Sequence, residues 1–163
     1  MKAIHKLSIL TMSLAALSLP AGALAFGVSG VGGSGGYLSP ESREATGTVG
    51  VHAELEQPGT RLHLVPGVMY WGSERRTDFN PNVDVTYHVR KENKIGPYVG
   101  AGVGMHVRSG PLASDEGTDV GMNLMGGIRI PAQTAKIFVE GRHTVSDVSE
   151  NAVLAGATFK LGR

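Results

Sequence analysis

The stretch that decides the fold class reads Pro97-Tyr98-Val99-Gly100-Ala101-Gly102-Val103-Gly104-Met105-His106-Val107-Arg108. Its apolar residues occupy the odd positions from 99 to 107, while the even positions hold glycine, tyrosine and polar residues. A repeat of two is the period of a β-strand, because successive side chains of a strand point to opposite faces. We therefore expect a strand with one apolar and one polar face.

The same alternation recurs along the chain after residue 25. It runs over residues 46–55, 61–70, 82–90, 98–108, 119–130, 136–142 and 153–161, with a weaker glycine-rich segment over 26–37. Together these segments predict eight strands and no helix.

Composition narrows the class of protein further. The 163 residues include 24 glycines and no cysteine. Without cysteine the chain has no disulfide framework, no thiol nucleophile and no lipoprotein anchor. Fifteen basic and fourteen acidic residues leave a formal charge of +1, so no strong field attracts nucleic acid. We find no cofactor signature and expect none to be bound.

Residues 1–25 have the features of a secretory signal peptide. Lys2 and Lys6 precede an apolar run from Leu7 to Leu19, and Ala23-Leu24-Ala25 provides small residues for cleavage. The apolar run is shorter than the roughly 20 residues that a membrane-spanning helix needs. The sequence predicts cleavage after Ala25 and a single domain over residues 26–163.

The predicted connections alternate between short and long. Tight turns are expected at 56–59, 91–94 and 131–134, and longer polar loops at 38–45, 72–81, 109–118 and 146–151. In an up-and-down barrel the two kinds of connection then lie at opposite ends. This layout is typical of bacterial outer-membrane barrels.

Three stretches carry a resemblance to a known family: Pro97 to Gly104, Phe138 to Thr144 and Gly156 to Leu161. They resemble the small OmpA/OmpX-like and opacity-type outer-membrane proteins. The resemblance implies an eight-stranded antiparallel up-and-down transmembrane β-barrel, monomeric and located in the bacterial outer membrane. The last stretch is similar to the carboxy-terminal signal that the barrel-assembly machinery reads, which implies that machinery as a partner during biogenesis.

Alternation alone leaves open which face is outside. In a soluble periplasmic lipocalin-like carrier, the valines would line a cavity for an apolar ligand. The apolar face carries almost no charge at its central positions, and the polar face is rich in glycine, which leaves room for arginines in a narrow lumen. Both features favour a membrane barrel, with Tyr70, Tyr87 and Phe159 near its interfaces.

On this interpretation the polar face lines the lumen and must pair its charges. Lys136 shares this face with the predicted ionic network, which comprises Glu54, Arg61, Asp84, Arg90, Arg108, Asp119, Arg129, Glu140 and Arg142. A two-residue Pro58-Gly59 turn sets Glu54 opposite His63, and a register one pair further sets Glu54 opposite Arg61 and His52 opposite His63. Paired charges in an eight-stranded lumen form a plug rather than an open pore.

Four luminal histidines, His52, His63, His88 and His106, have two interpretations. They are candidates for a metal site or a pH-dependent gate, because imidazole binds metals and titrates near neutral pH. The alternative is that they serve as hydrogen-bonding filler on four consecutive strands, and nothing in the sequence brings three of them to one point. We favour filler and expect no bound metal.

A lipid A-modifying hydrolase is a further alternative. His143, Ser146 and Glu140 are the weak catalytic candidates, since a serine, a histidine and a carboxylate can cleave an ester. Small barrels that deacylate lipid A use such a set, with the serine two residues after the histidine rather than three. We expect a non-enzymatic protein.

The predicted outer loops carry charge of both signs. Arg75 and Arg76 are candidates for contacts with lipopolysaccharide phosphates. The sequence thus predicts a barrel with a structural or surface-interaction role, embedded in outer-membrane lipid and lipopolysaccharide, with short loops presented to other cells.

Overall fold

A computed structural model describes residues 26–41, 44–73, 76–90, 94–110, 117–147 and 149–161. The predicted signal peptide, Arg75 and the last two residues lie outside this part of the chain. The described residues form eight strands: β1 (Gly27–Pro40), β2 (Thr46–Glu56), β3 (Leu62–Ser73), β4 (Arg76–His88), β5 (Gly96–Ser109), β6 (Gly117–Pro131), β7 (Ala135–Val145) and β8 (Glu150–Lys160). They contain no apolar helix of membrane-spanning length.

Every strand pairs antiparallel with the next, and β1 pairs with β8 to close the barrel. The predicted up-and-down topology is therefore confirmed. We call the end where β1 begins and β8 ends the terminal end, and the opposite end the distal end. The junctions β2–β3, β4–β5 and β6–β7 lie at the terminal end.

The apolar face is on the outside. In β5, Val103 is 55% exposed whereas Tyr98, on the other face of the strand, is 5% exposed. The same division holds in β2, where Val51 is exposed and Glu54 is buried. The valines therefore meet lipid instead of lining a cavity, which argues against the lipocalin-like alternative.

Exposed aromatic side chains lie near both ends of the barrel. Tyr37, Tyr70 and Phe79 are near the distal end, and Tyr87 and Phe159 are near the terminal end. The sequence named three of these five residues. Aromatic rings at these levels match the girdles that mark the membrane interfaces.

The predicted loop over 72–81 is wrong. Strand β3 continues to Ser73 and β4 begins at Arg76, so most of this segment is strand. Its polar residues looked like a loop, but Asp78 and Asn80 point into the barrel. Pro81 also favoured a loop, because proline cannot donate a backbone hydrogen bond to a neighbouring strand. Residues 80 and 81 are not paired with β5, although the register is the same on both sides of them.

The strict alternation of short and long connections is therefore also wrong. The β2–β3 junction comprises residues 57–61, whereas only residues 74–75 separate β3 from β4. The connections at the two ends of the barrel therefore overlap in length.

Both registers considered for β2 and β3 are wrong. His63 pairs with Glu56, not with Glu54 or His52. The turn is wider than Pro58-Gly59, since the amide of Gln57 donates to the carbonyl of Leu62 at 3.4 Å. Within it Gly59 has a φ of 77°, a conformation that favours glycine. The offset is even, so each side chain keeps its predicted face.

Inward glycines make room for large neighbours on adjacent strands. A Cβ at position 127 would lie 2.7 Å from the ring of Tyr98, and one at position 156 would lie 2.6 Å from the ring of Phe138. At Gly96 the neighbour is Arg90, at 2.8 Å. Room for arginine was the predicted reason for these glycines. The structure shows that several of them accommodate aromatic rings instead.

Charged substitutions on the outward face test which of its positions lie deepest in the membrane. Val103→Arg places a charge at mid-strand, where it should lower the free energy of unfolding by about 2–4 kcal/mol. Ser109→Arg, on the same face at the distal end of β5, should cost only about 0–1 kcal/mol. Urea unfolding in lipid vesicles measures both. Equal values for the two variants would contradict a lipid-facing valine surface.

Candidate functional site in the barrel interior

The interior near the terminal end is organised around one carboxylate. Glu54 is 1% exposed. Its Oε1 lies 2.6 Å from Arg129 Nη2 and 2.6 Å from His63 Nδ1, and its Oε2 lies 3.4 Å from Lys136 Nζ. Lys136 also donates to Glu56 Oε1 at 2.7 Å. Two carboxylates and two cations from three strands thus neutralise each other in a layer across the barrel.

A second layer crosses the middle of the barrel and is centred on Arg142. Its guanidinium donates to Asp84 Oδ2 at 2.8 Å and to Glu140 Oε1 at 3.1 Å. Tyr98 donates its hydroxyl to Glu140 Oε2 at 2.8 Å, and Asn123 donates to Asp84 Oδ1 at 3.0 Å. Each carboxylate therefore has both a charged and a neutral donor, which is what burial of an ion pair requires.

The distal half of the interior is less ionic. His106 Nδ1 lies 3.6 Å from Glu150, and its ring contacts Trp71 edge-on with centroids 5.6 Å apart. Arg108 lies 3.8 Å from Asp119. A buried apolar cluster fills much of the remaining space: Leu38, Met69, Trp71, Ala152 and Leu154.

Between the first two layers is a cavity of about 70 Å³. Its walls include His52, Glu54, Asp84 and Arg142. This volume accommodates a few water molecules. Within each layer the charged residues contact one another directly across the lumen, as expected for a plug.

Two members of the predicted ionic network lie outside it. Arg61 and Arg90 are exposed at the terminal end, where they donate to the backbone carbonyls of Val89 and Ile95 at 2.8 and 3.3 Å. Both residues follow the alternation of their strands but lie beyond the strand ends, where the side chains reach solvent.

Conversely, sequence reasoning placed Glu56 in a turn. Its even position on β2 was the signal that it points inward with Glu54.

The four histidines do not converge. His52 forms a hydrogen bond of 2.8 Å with Thr158 Oγ1, and His106 lies in the distal half. His63 and His88 do meet, with ring centroids 4.2 Å apart. Two of the four metal candidates therefore share one location, beside Glu54.

The three catalytic candidates also separate. Glu140 points inward to Tyr98 and Arg142, whereas His143 is on the opposite face of β7 with its Nδ1 3.0 Å from Asn151 Oδ1. Ser146 lies beside the inward-facing Gly121. A Cβ added at position 121 would lie 3.1 Å from the Cβ of Ser146. Val145 occupies the position two residues after His143. These residues form no triad.

An apolar outer surface, a charge-paired interior and a closed antiparallel sheet of eight strands define a small transmembrane β-barrel. Solved structures with this fold include Neisserial surface protein A, with a TM-score of 0.67 and 12% identity over 84% of this chain and 97% of that one. The predicted resemblance to small outer-membrane barrels is confirmed for the fold.

Two further structures have the same fold. The N-terminal β-barrel domain of Pseudomonas aeruginosa OprF has a TM-score of 0.61 and 15% identity over 83% of this chain and 99% of that one. The outer-membrane enzyme PagL has a TM-score of 0.54 and 15% identity, covering 82% of this chain and 100% of that one. No protein-family profile and no curated protein sequence matches the chain.

The interior layers predict unequal roles for two arginines. Arg142→Met leaves Asp84 and Glu140 buried without their common cation and should cost about 3–5 kcal/mol of unfolding free energy. Arg108→Met removes a looser, partly solvated pair with Asp119 and should cost about 0–1 kcal/mol. Urea unfolding in vesicles compares them. A loss below 1 kcal/mol for Arg142→Met would show that the central layer does not stabilise the barrel.

Proposed function

We propose that this chain is a bacterial outer-membrane barrel with a structural or surface-interaction role and without an open pore. The observation that carries the proposal is the pair of ionic layers that cross the lumen around Glu54 and Arg142. A lumen occupied by mutually paired side chains makes the barrel rigid and leaves no wide aqueous path for solutes.

An outer-membrane location is supported by the fold. The three solved structures described above include two that are named as a surface protein and an outer-membrane enzyme. The predicted export signal over residues 1–25 agrees with this location, and so does the carboxy-terminal strand, proposed to be read by the barrel-assembly machinery. A monomer is proposed, and the closed sheet supports it because no strand edge is left to pair with another chain.

The distal end is proposed to face the outside. The β3–β4 junction at this end carries Arg75 and Arg76; Arg75 and the side chain of Arg76 lie outside the described residues. Guanidinium groups bind phosphate strongly through paired hydrogen bonds. The proposed contact is therefore with lipopolysaccharide phosphates at the membrane surface.

Conductance tests the proposed plug. Protein isolated in detergent and inserted into a planar bilayer should give no steady unit currents, because the ionic layers block the lumen. Heat-modifiable migration on a denaturing gel, measured on the same preparation, shows that the barrel is folded. Regular current steps from folded protein would contradict the proposal.

Lipopolysaccharide binding tests the distal arginines. The double variant Arg75→Ala/Arg76→Ala should bind lipopolysaccharide roughly tenfold or more weakly than the unmodified protein, since each lost ionic hydrogen bond costs about 1.5–3 kcal/mol. The matched control is Arg61→Ala/Arg90→Ala, which removes two exposed arginines at the terminal end. Equal losses in the two variants would indicate an effect of net charge rather than a distal contact.

A further inference from the structure

Three metal-ligand side chains meet in the layer near the terminal end. Glu54 on β2, His63 on β3 and His88 on β4 each present one donor atom, and all three atoms lie within 4.8 Å of one another. All three residues are buried. Because they come from three neighbouring strands, the hydrogen-bonded sheet holds their backbones in fixed relative positions.

This donor set fits a zinc ion. One carboxylate and two imidazoles are a known three-ligand set for zinc, with ligand distances of about 2.0–2.2 Å. Donor atoms around such an ion lie about 3–4 Å apart. The present donors lie within 4.8 Å of one another, with Glu54 Oε1 2.6 Å from His63 Nδ1, so small side-chain rotations bring them to this spacing. We propose that Glu54, His63 and His88 bind one zinc ion in the barrel lumen.

Glu56 lies beside this group, at the entrance from the terminal end. Its Oε1 lies 3.9 Å from His63 Nδ1, outside the set of three donor atoms that lie within 4.8 Å of one another. It is 27% exposed at the terminal end, whereas Glu54 is 1% exposed. An ion approaching from that end thus meets the Glu56 carboxylate first.

The His88 ring is held in place by contacts around the site. Thr86 Oγ1 lies 3.2 Å from His88 Nε2, and the Tyr98 ring stacks on the imidazole with centroids 5.1 Å apart. Such outer contacts orient ligand imidazoles in metal sites. The geometry therefore constrains the imidazole without any metal.

Two cations compete with the ion. Lys136 Nζ contacts Glu54 at 3.4 Å and Glu56 at 2.7 Å, and Arg129 contacts Glu54 at 2.6 Å. Zinc binding must displace Lys136 from at least one carboxylate, so the affinity is limited by this lysine. If the layer binds zinc, removal of Lys136 should therefore raise the zinc affinity. If the layer is only a set of ion pairs, removal of Lys136 should not raise it.

The test is zinc titration, by calorimetry, of untagged barrel isolated from membranes in detergent. The unmodified protein should bind one zinc ion per chain, and His63→Gln/His88→Gln should lose this binding. His106→Gln is the matched control, since this buried histidine also faces a glutamate but lies in the distal half. It should bind zinc like the unmodified protein. Absence of binding by the unmodified protein, or its persistence in the double variant, overturns the proposal.

Lys136→Met keeps the test decisive if the double variant does not fold. This variant retains Glu54, His63 and His88 and removes a competing charge, so its zinc affinity should rise by about tenfold or more. An affinity that stays unchanged or falls in folded Lys136→Met overturns the proposal. Heat-modifiable migration on a gel establishes folding for each variant.

Discussion

Closure of the sheet is the constraint on which the rest of the structure depends. A strand edge in lipid would leave amides and carbonyls without partners, and each such group costs several kcal/mol. Pairing of β1 with β8 removes the edge. Closing only eight strands makes the lumen narrow, so every inward side chain must fit against those of the opposite wall.

That narrowness explains the division of residue types inside the barrel. Glycine lies beside the largest inward rings, as Gly127 does beside Tyr98. The charged groups of the two layers contact one another, so Glu54 and Arg142 each have several partners. An interior of this kind stabilises one shape of the barrel, which agrees with the proposed structural or surface-interaction role.

The same side chains around Glu54 form the ion-pair layer and the proposed zinc site. As an ion-pair layer it neutralises two carboxylates with Lys136 and Arg129. As a zinc site it exchanges the lysine for a divalent ion held by two histidines. Which use prevails depends on the balance between the attraction of the carboxylates for lysine and the bonds that imidazole adds for zinc.

The sequence by itself determined the strands and their faces, because alternation with a period of two is a local property that each strand shows independently. It therefore assigned Glu54, Asp84, Arg129 and Arg142 to the inward face, and the structure has their side chains in the two ionic layers. It failed at residues 72–81, where inward polar residues and Pro81 have the composition of a loop. Only the tertiary structure decided which inward residues meet. Partner choice depends on turn geometry and strand register, so the wider turn at 57–61 set Glu56 beside His63. Partners from opposite walls, such as Glu54 and Arg129, meet only because the sheet closes.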